Sequence, residues 1–196
     1  MSSPQKRTRP SSQRGAQPPR SSPSRHPESP ASGPPTPQAA TKRSNPLFGV
    51  LPFIGVVLFV ISAISVVGSG SSTWERDLLT NAVVYLIGWA GIGGGISHIF
   101  FGPKIAASIG WKWSPFELEI GLANLGFGVA AVLAGSFTPE YSLALIIANS
   151  IFRVGAGLGH VRSMITDRNF AINNTAILFI DFLVPAFLFW AYFAWS

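Results

Sequence analysis

Seven polar side chains lie within or next to stretches that are otherwise apolar and long enough to span a membrane. They comprise three carboxylates, two histidines, one arginine and one asparagine: His98, Glu117, Glu119, Asn124, Arg153, His160 and Asp181. Ionisable side chains are costly inside a membrane, where they face the interior of a helical bundle, pair with each other and mark binding sites or proton relays. These residues therefore predict a polar cluster that binds a small molecule or moves protons.

Other chemistries find less support in the sequence. The chain has no cysteine, which excludes disulfides, thiolate metal sites and cysteine nucleophiles. No catalytic triad, phosphate-binding glycine loop or metal-ligand cluster stands out, and the glycines from Gly91 to Gly95 lie inside an apolar run, where they favour helix packing. No catalytic residue and no metal site is predicted, and an enzyme is the less supported class.

One cofactor remains as an alternative. His98 and His160 are expected at similar depth on two helices that run in the same direction, which would suit bis-histidine ligation of haem b in a redox subunit. The simpler interpretation is that both histidines form hydrogen bonds near helix ends. Apart from this alternative, no cofactor is predicted.

The composition indicates the fold class. Of the 196 residues 47% are hydrophobic and only 11% are charged, against about 25% charged in soluble domains. A helix of about 20 apolar residues crosses a hydrocarbon core of about 30 Å. The predicted fold is all-α, an integral membrane helical bundle over residues 47–196. Its five transmembrane helices are expected at about 47–67, 81–101, 116–134, 141–161 and 175–195.

Residues 1–46 differ sharply from the rest. They contain eleven of the sixteen prolines and eight of the fourteen Lys and Arg residues. Such a segment buries too little apolar surface to fold, so it is predicted to be a disordered tail. It either contacts anionic lipid headgroups, at about 1 kcal/mol for each basic residue near the surface, or is a solvated extension. Because the net charge of +6 arises in this tail, no nucleic-acid partner is predicted.

The basic residues also predict orientation, because Lys and Arg are retained on the cytoplasmic side. Eight lie in the tail, and four more lie in connections on the same side: Lys104, Lys112, Arg162 and Arg168. Only Arg76 lies on the opposite side. The amino terminus is therefore predicted to be cytoplasmic and the carboxyl terminus to lie outside, with the polar cluster in the cytoplasmic leaflet.

Arg153 is too deep to remain unpaired, and its long side chain can reach back toward the cytoplasm. We expect it to pair with Asp181, with Glu119 or Glu117 as the competing partner. Glu117 stands three residues after Ser114, so a capping box is its alternative role.

Two further positions have an ordinary structural interpretation. Glu119 lies about 200° from Glu117 around the helix, where it could reach Lys112, since successive residues are about 100° apart. Asn124 could form a hydrogen bond to another helix. A cluster whose ion pairs only hold helices together would indicate a structural or accessory subunit.

Glycines at helical spacing predict a close helix contact. Gly88, Gly91 and Gly95 lie on the same face as His98, and small residues on such a face let another helix approach. The partner helix could belong to this chain or to a second subunit, so homo- or hetero-oligomers are open alternatives. The lipid bilayer is the other predicted partner.

Several of these motifs resemble a family of small bacterial multi-pass integral membrane proteins of unknown function. The motifs are His98 with Phe100-Phe101, Ile109-Gly110-Trp111, the run Ser114–Gly128, Gly159-His160, and Asp181 before Pro185. The resemblance covers roughly residues 80–190 and implies a helical bundle in the cytoplasmic (inner) membrane of a bacterium, with no implied activity. The long tail departs from the family's usual short amino terminus. A fainter likeness to DoxX-like membrane proteins rests on hydropathy alone.

Overall fold

A computed structural model describes residues 53–195, in which every regular element is helical. The helices in this part of the chain are α1 Ile54–Gly68, α2 Trp74–Ser108, α3 Phe116–Ser136, α4 Pro139–Thr166 and α5 Ile172–Trp195. The predicted all-α helical bundle is confirmed. The predicted tail, residues 1–46, and the start of the predicted first span lie outside the described residues.

Four of these helices, α2 to α5, are long and apolar enough to cross a membrane. Large apolar side chains on their outer faces are strongly exposed, among them Phe100, Ile151, Ile165 and Phe193. Such faces suit contact with lipid rather than water. Helix α1 is also apolar, but its 15 described residues span only about 22 Å at about 1.5 Å per residue.

Helix α2 extends beyond its predicted limits of 81–101 on both sides. At Phe101 the backbone leaves helical geometry, with φ −127° and ψ 19°, and the helix resumes up to Ser108. Pro103 lies just after this kink. Proline lacks the N–H needed inside a helix but suits the first turn of one, so the segment after the kink restarts as a helix. The predicted end at residue 101 is therefore a kink.

Two π-helical turns interrupt the α-helical pattern, Val83–Trp89 in α2 and Phe179–Leu183 in α5. A π turn contains an extra residue, which changes the faces on which the following side chains lie, and such turns are frequent at functional sites. The turn in α5 contains Asp181. No feature of the sequence predicts either turn.

The glycine face of α2 packs against α3 of the same chain. A Cβ added to Gly91 would lie 2.8 Å from the Asn124 carbonyl oxygen, and one added to Gly128 would lie 2.5 Å from the Ile92 backbone nitrogen. Only glycine allows backbones to come this close. The close approach predicted for Gly91 and Gly95 is therefore made within the chain.

Short connections reverse the chain between helices, which gives the bundle two distinguishable ends. At the core end, near the α1–α2 and α3–α4 connections, lie the most fully buried aliphatic side chains, including Ile87, Ile146 and Leu188. The opposite end, near the α2–α3 and α4–α5 connections, is here called the cavity end. Apolar burial is concentrated at the core end, and the ionisable residues of the bundle interior lie toward the other.

Candidate functional site: a polar cavity between four helices

The cavity end encloses a space of about 340 Å³ between α2, α3, α4 and α5. Its size falls within the range of about 300 to 1,000 Å³ typical of small-molecule sites. Most of its wall is apolar, with a set of convergent polar side chains: Ser97, His98, Ser108, Trp111, Glu117, Asn124, Arg153, His160, Asn173 and Asp181. Six of the seven residues singled out from the sequence therefore line one cavity.

The predicted pair between Arg153 and Asp181 is present. The Arg153 Nη1 lies 3.6 Å from Asp181 Oδ1, and the two residues are only 9% and 4% exposed. The Arg153 Nε also donates a hydrogen bond to Asn149 Oδ1 at 3.1 Å. The guanidinium is thus held between α4 and α5 by a charge and by an amide, which lowers the cost of burying it.

Asp181 lies within the π turn of α5. Ile180 and Asp181 are consecutive and both buried, yet Ile180 joins the apolar core and Asp181 lines the cavity. Its second carboxylate oxygen, Oδ2, is buried without a hydrogen-bond partner among residues 53–195. A buried acceptor left unpaired costs free energy, so this oxygen is a position where a bound molecule would gain a hydrogen bond.

His98 and Glu117 form a second contact, between α2 and α3. The His98 Nδ1 lies 2.6 Å from Glu117 Oε2, a short distance typical of a charge-assisted hydrogen bond. Glu117 is in the first turn of α3, where the helix dipole favours a carboxylate. The alternative capping box with Ser114 is wrong, because α3 has no side-chain cap and the carboxylate bonds to His98 instead.

Glu119 does not belong to this cluster. It is exposed and does not line the cavity, although it is only two positions from Glu117. Two residues apart on a helix corresponds to about 200°, which places the two side chains on opposite faces. The expectation that Glu119 contributes to the cluster, or competes for Arg153, is therefore wrong.

Asn124 lines the cavity, but it does not form the predicted bond to another helix. Its Nδ2 donates to the Ile120 carbonyl oxygen of α3 at 3.0 Å. Such a bond to the preceding turn is a common alternative for a short polar side chain in a helix. The Asn124 side chain faces Gly94, where an added Cβ would lie 3.6 Å from Oδ1.

His160 is held by an asparagine that the sequence analysis did not single out. Its Nδ1 lies 2.8 Å from Oδ1 of Asn174, which is fully buried. The Asn174 Nδ2 donates to the Asn169 carbonyl oxygen at 3.0 Å, which fixes the orientation of the amide. Because Oδ1 only accepts, the Nδ1 of His160 must carry the hydrogen.

Trp111 forms the wall of the cavity beside His160, with ring centroids 4.9 Å apart. Its indole Nε1–H is buried and has no hydrogen-bond partner in the described part of the chain. From the sequence, Trp111 was singled out only as part of the Ile109-Gly110-Trp111 motif, without a role in the cluster. Asn169, Asn173 and Asn174 are further omissions, and three asparagines within six residues around the start of α5 were the available signal.

The two histidines share one feature that bears on cofactors. Each uses Nδ1 for a hydrogen bond, and neither Nε2 has a partner among residues 53–195. Within the same residues, no group of three or more His, Cys, Asp or Glu side chains is placed to hold a metal ion. The cavity can therefore offer nitrogen lone pairs to a bound molecule.

These features together define a helical membrane protein with a polar cavity enclosed by the four longest helices of residues 53–195. The family model described as "Family of unknown function (DUF6790)" matches residues 47–196, so the chain belongs to this family. No curated protein and no solved structure matches the chain. The family description assigns no activity, and the bacterial and DoxX-like likenesses remain predictions from sequence.

Proposed function

We propose that this protein binds a small molecule in the cavity between α2 and α5, as a transporter or receptor for that molecule. One observation carries the proposal: a single cavity collects ionisable side chains from four helices and leaves two buried polar atoms without a partner among residues 53–195, Asp181 Oδ2 and Trp111 Nε1. Convergent polar groups in a largely apolar pocket are the usual form of a small-molecule site.

Stability alone does not account for this arrangement. Replacing a buried ion pair by apolar side chains of similar volume is often neutral or stabilising. A bundle selected only to hold its helices together would gain by closing the cavity around Arg153 and Asp181 with aliphatic side chains, as at Ile87 and Ile146 of the core end. The retained charges support a binding role.

The cavity end is proposed to face the cytoplasm. Four basic residues of the described chain lie at or near that end, Lys104, Lys112, Arg162 and Arg168, against Arg76 at the core end. A reporter that is active only in the cytoplasm should work when inserted in the α4–α5 connection and fail when fused after Trp195. The opposite pattern would place the cavity on the outer side.

The binding proposal can be tested by closing the cavity. Gly94 lines it and has only ordinary contact distance to Asn124, so Gly94→Leu should fill the space with little distortion. Gly93 is the matched control, because an added Cβ would meet nothing within 4 Å and Gly93 does not line the cavity. The purified protein is screened for compounds that raise its unfolding temperature, and hits are then assayed for uptake into vesicles.

Compounds that stabilise the wild type and Gly93→Leu, but not Gly94→Leu, would support binding in the cavity. Stabilisation that is equal in all three proteins would place binding elsewhere and contradict the proposal. Uptake that depends on the same residue would distinguish a transporter from a receptor.

A structural subunit is the second candidate, because both polar contacts join different helices: Arg153 with Asp181, and His98 with Glu117. It predicts that neutralising both members of each pair leaves every cellular phenotype of the protein unchanged. The unpartnered Nε2 atoms of His98 and His160 keep haem as a further alternative. A Soret absorption band in protein purified after expression with adequate haem would favour it over a small solute.

A further inference from the structure

The hydrogen-bond network determines which atoms the two histidines offer to the cavity. Asn174 Oδ1 accepts from His160 Nδ1, and the carboxylate of Glu117 accepts from His98 Nδ1. In neutral imidazole the other ring nitrogen then carries a lone pair and no hydrogen. When both rings are neutral, the two histidines therefore present Nε2 as a hydrogen-bond acceptor.

The carboxylates add further acceptors. Glu117 uses Oε2 for His98, and its Oε1 has no hydrogen-bond partner among residues 53–195. Asp181 uses Oδ1 for Arg153 and leaves Oδ2 buried and unpaired. With the histidines neutral, two carboxylates and one guanidinium give the cavity a formal charge of −1. The guanidinium donates one hydrogen bond, from Nε to Asn149, and its Nη1 lies 3.6 Å from Asp181 Oδ1.

The donors on the cavity wall include the Nη N–H groups of Arg153, which lie beside Asp181, and the amide of Asn173. The indole Nε1–H of Trp111 is a buried donor without a partner in the described residues, but it is neutral. The remaining wall is largely apolar and includes the aromatic rings of Phe53 and Phe152. Aromatic faces attract cations and also accommodate hydrocarbon.

We propose that the occupant of this cavity is a small protonated organic amine, with Glu117 as its counter-ion and an apolar body against the aromatic wall. The inference rests on the proposed function and specifies its ligand class. An ammonium group supplies several N–H donors and a positive charge, which match the free oxygens of Glu117 and Asp181 and the Nε2 atoms. A carboxylate ligand would meet like charge and acceptors, whereas an alcohol supplies one donor and no charge.

The test compares three compounds of similar shape: benzylamine, benzyl alcohol and benzoate. Binding to the full chain in lipid nanodiscs is measured by calorimetry at neutral pH and moderate salt, with empty nanodiscs subtracted to remove partitioning into lipid. We expect benzylamine to bind at least about tenfold more tightly than benzyl alcohol, and benzoate to bind least. A factor of this size is what a hydrogen bond to a charged group typically contributes.

Two variants of α3 show whether Glu117 is responsible for the preference for an amine. Glu117→Gln removes the charge that lines the cavity, and Glu119→Gln removes an exposed charge two residues away. Benzylamine affinity should fall about tenfold in the first variant and stay unchanged in the second. Equal losses in both would indicate nonspecific attraction to negative charge and overturn the inference.

The outcomes separate this inference from the proposed function. If benzyl alcohol or benzoate binds as tightly as benzylamine and Gly94→Leu abolishes that binding, the cavity is a binding site and the amine assignment is wrong. If benzylamine does not bind above the empty nanodiscs, the amine assignment is also wrong, and the compound screen with Gly94→Leu and Gly93→Leu decides the proposed function by itself. If benzylamine binds and its affinity is unchanged in both Gly94→Leu and Glu117→Gln, an amine site in this cavity is rejected.

Discussion

The two ends of the bundle use the same four helices in opposite ways. At the core end Ile87, Ile146 and Leu188 are almost completely buried, and the helices close around aliphatic side chains. At the cavity end the helices enclose about 340 Å³, with Arg153 and Asp181 in its wall. One half of the bundle is packed for stability, while the other retains charges and empty space that packing alone would remove.

This difference shows where the fold tolerates function. Filling apolar space stabilises a bundle, and interior charges destabilise it unless they are paired. The apolar packing of the core end therefore offsets the free-energy cost of the charges and the empty space at the cavity end. At the interface between α2 and α3, Gly91 and Gly128 allow the two backbones to come close. The same interface places His98 beside Glu117.

The largest expected effect concerns aliphatic packing. Ile146→Ala removes a fully buried side chain at the core end and should lower the free energy of unfolding by about 2 to 5 kcal/mol. Ile120→Ala makes the same chemical change at a side chain that already borders the cavity, so its cost should be less than half as large. Both are measured by reversible unfolding in mixed micelles, and equal costs would contradict the contrast between the ends.

The buried pair should behave differently from aliphatic packing. Arg153→Met leaves Asp181 without its counter-charge, and a stranded charge in the middle of a membrane costs about 2.5 to 3.5 kcal/mol on insertion scales. Adding Asp181→Leu should recover part of that loss, because the double variant contains no unpaired charge. A double-mutant cycle measures the coupling, and strictly additive losses would show that the 3.6 Å contact carries no energy.

A smaller loss of stability is expected from a steric clash at the interface between α2 and α3. In Gly128→Ala the new methyl group would lie 2.5 Å from the Ile92 nitrogen, so the helices must move apart at a cost of about 1 to 3 kcal/mol. Gly126 lies on the same helix, and a methyl group added there would meet nothing within 4 Å. Gly126→Ala should therefore be neutral or slightly stabilising. The unfolding temperatures of the two variants are compared, and equal temperatures would show that the α2–α3 interface is not tightly packed at Gly128.

The smallest effect is expected for the amino-terminal segment, which the composition separates from both ends of the bundle. Deleting residues 1–40 should change the free energy of unfolding by less than about 0.5 kcal/mol, as surface changes commonly do. Membrane insertion is measured by fractionation of cells expressing the shortened chain. A large loss of inserted, folded protein would show that the segment contributes to the bundle.

Hydropathy and the cost of charge predicted the helical fold and the Arg153–Asp181 pair from sequence, because both depend on rules that act along the chain. Depth along a helix was easier to infer than direction around it. Glu119 shows how the two differ in use: the sequence already placed it about 200° from Glu117, yet its similar depth led to its inclusion in the cluster. The roles of Trp111 and Asn174 depend on how connections fold back onto the bundle, and the π turn at Asp181 shifts the α5 faces without any signal in the sequence.

The absence of cysteine from the chain allows the contrast between the two ends to be measured without background labelling. Single cysteines are placed at Ala156, which lines the cavity, and at Ala131, which is fully buried at the core end. Ser72→Cys in the exposed α1–α2 connection serves as the accessible control. Each protein is treated with a small cationic thiosulfonate, and the labelled fraction is followed over time by mass spectrometry.

The central claim is that the cavity end contains a site open to small molecules and the core end does not. It predicts that Ala156→Cys is labelled, that benzylamine slows this labelling, and that Ala131→Cys stays unlabelled while Ser72→Cys reacts fully. Equal protection of Ala156→Cys and Ala131→Cys from the reagent would contradict the claim, because both ends would then be closed.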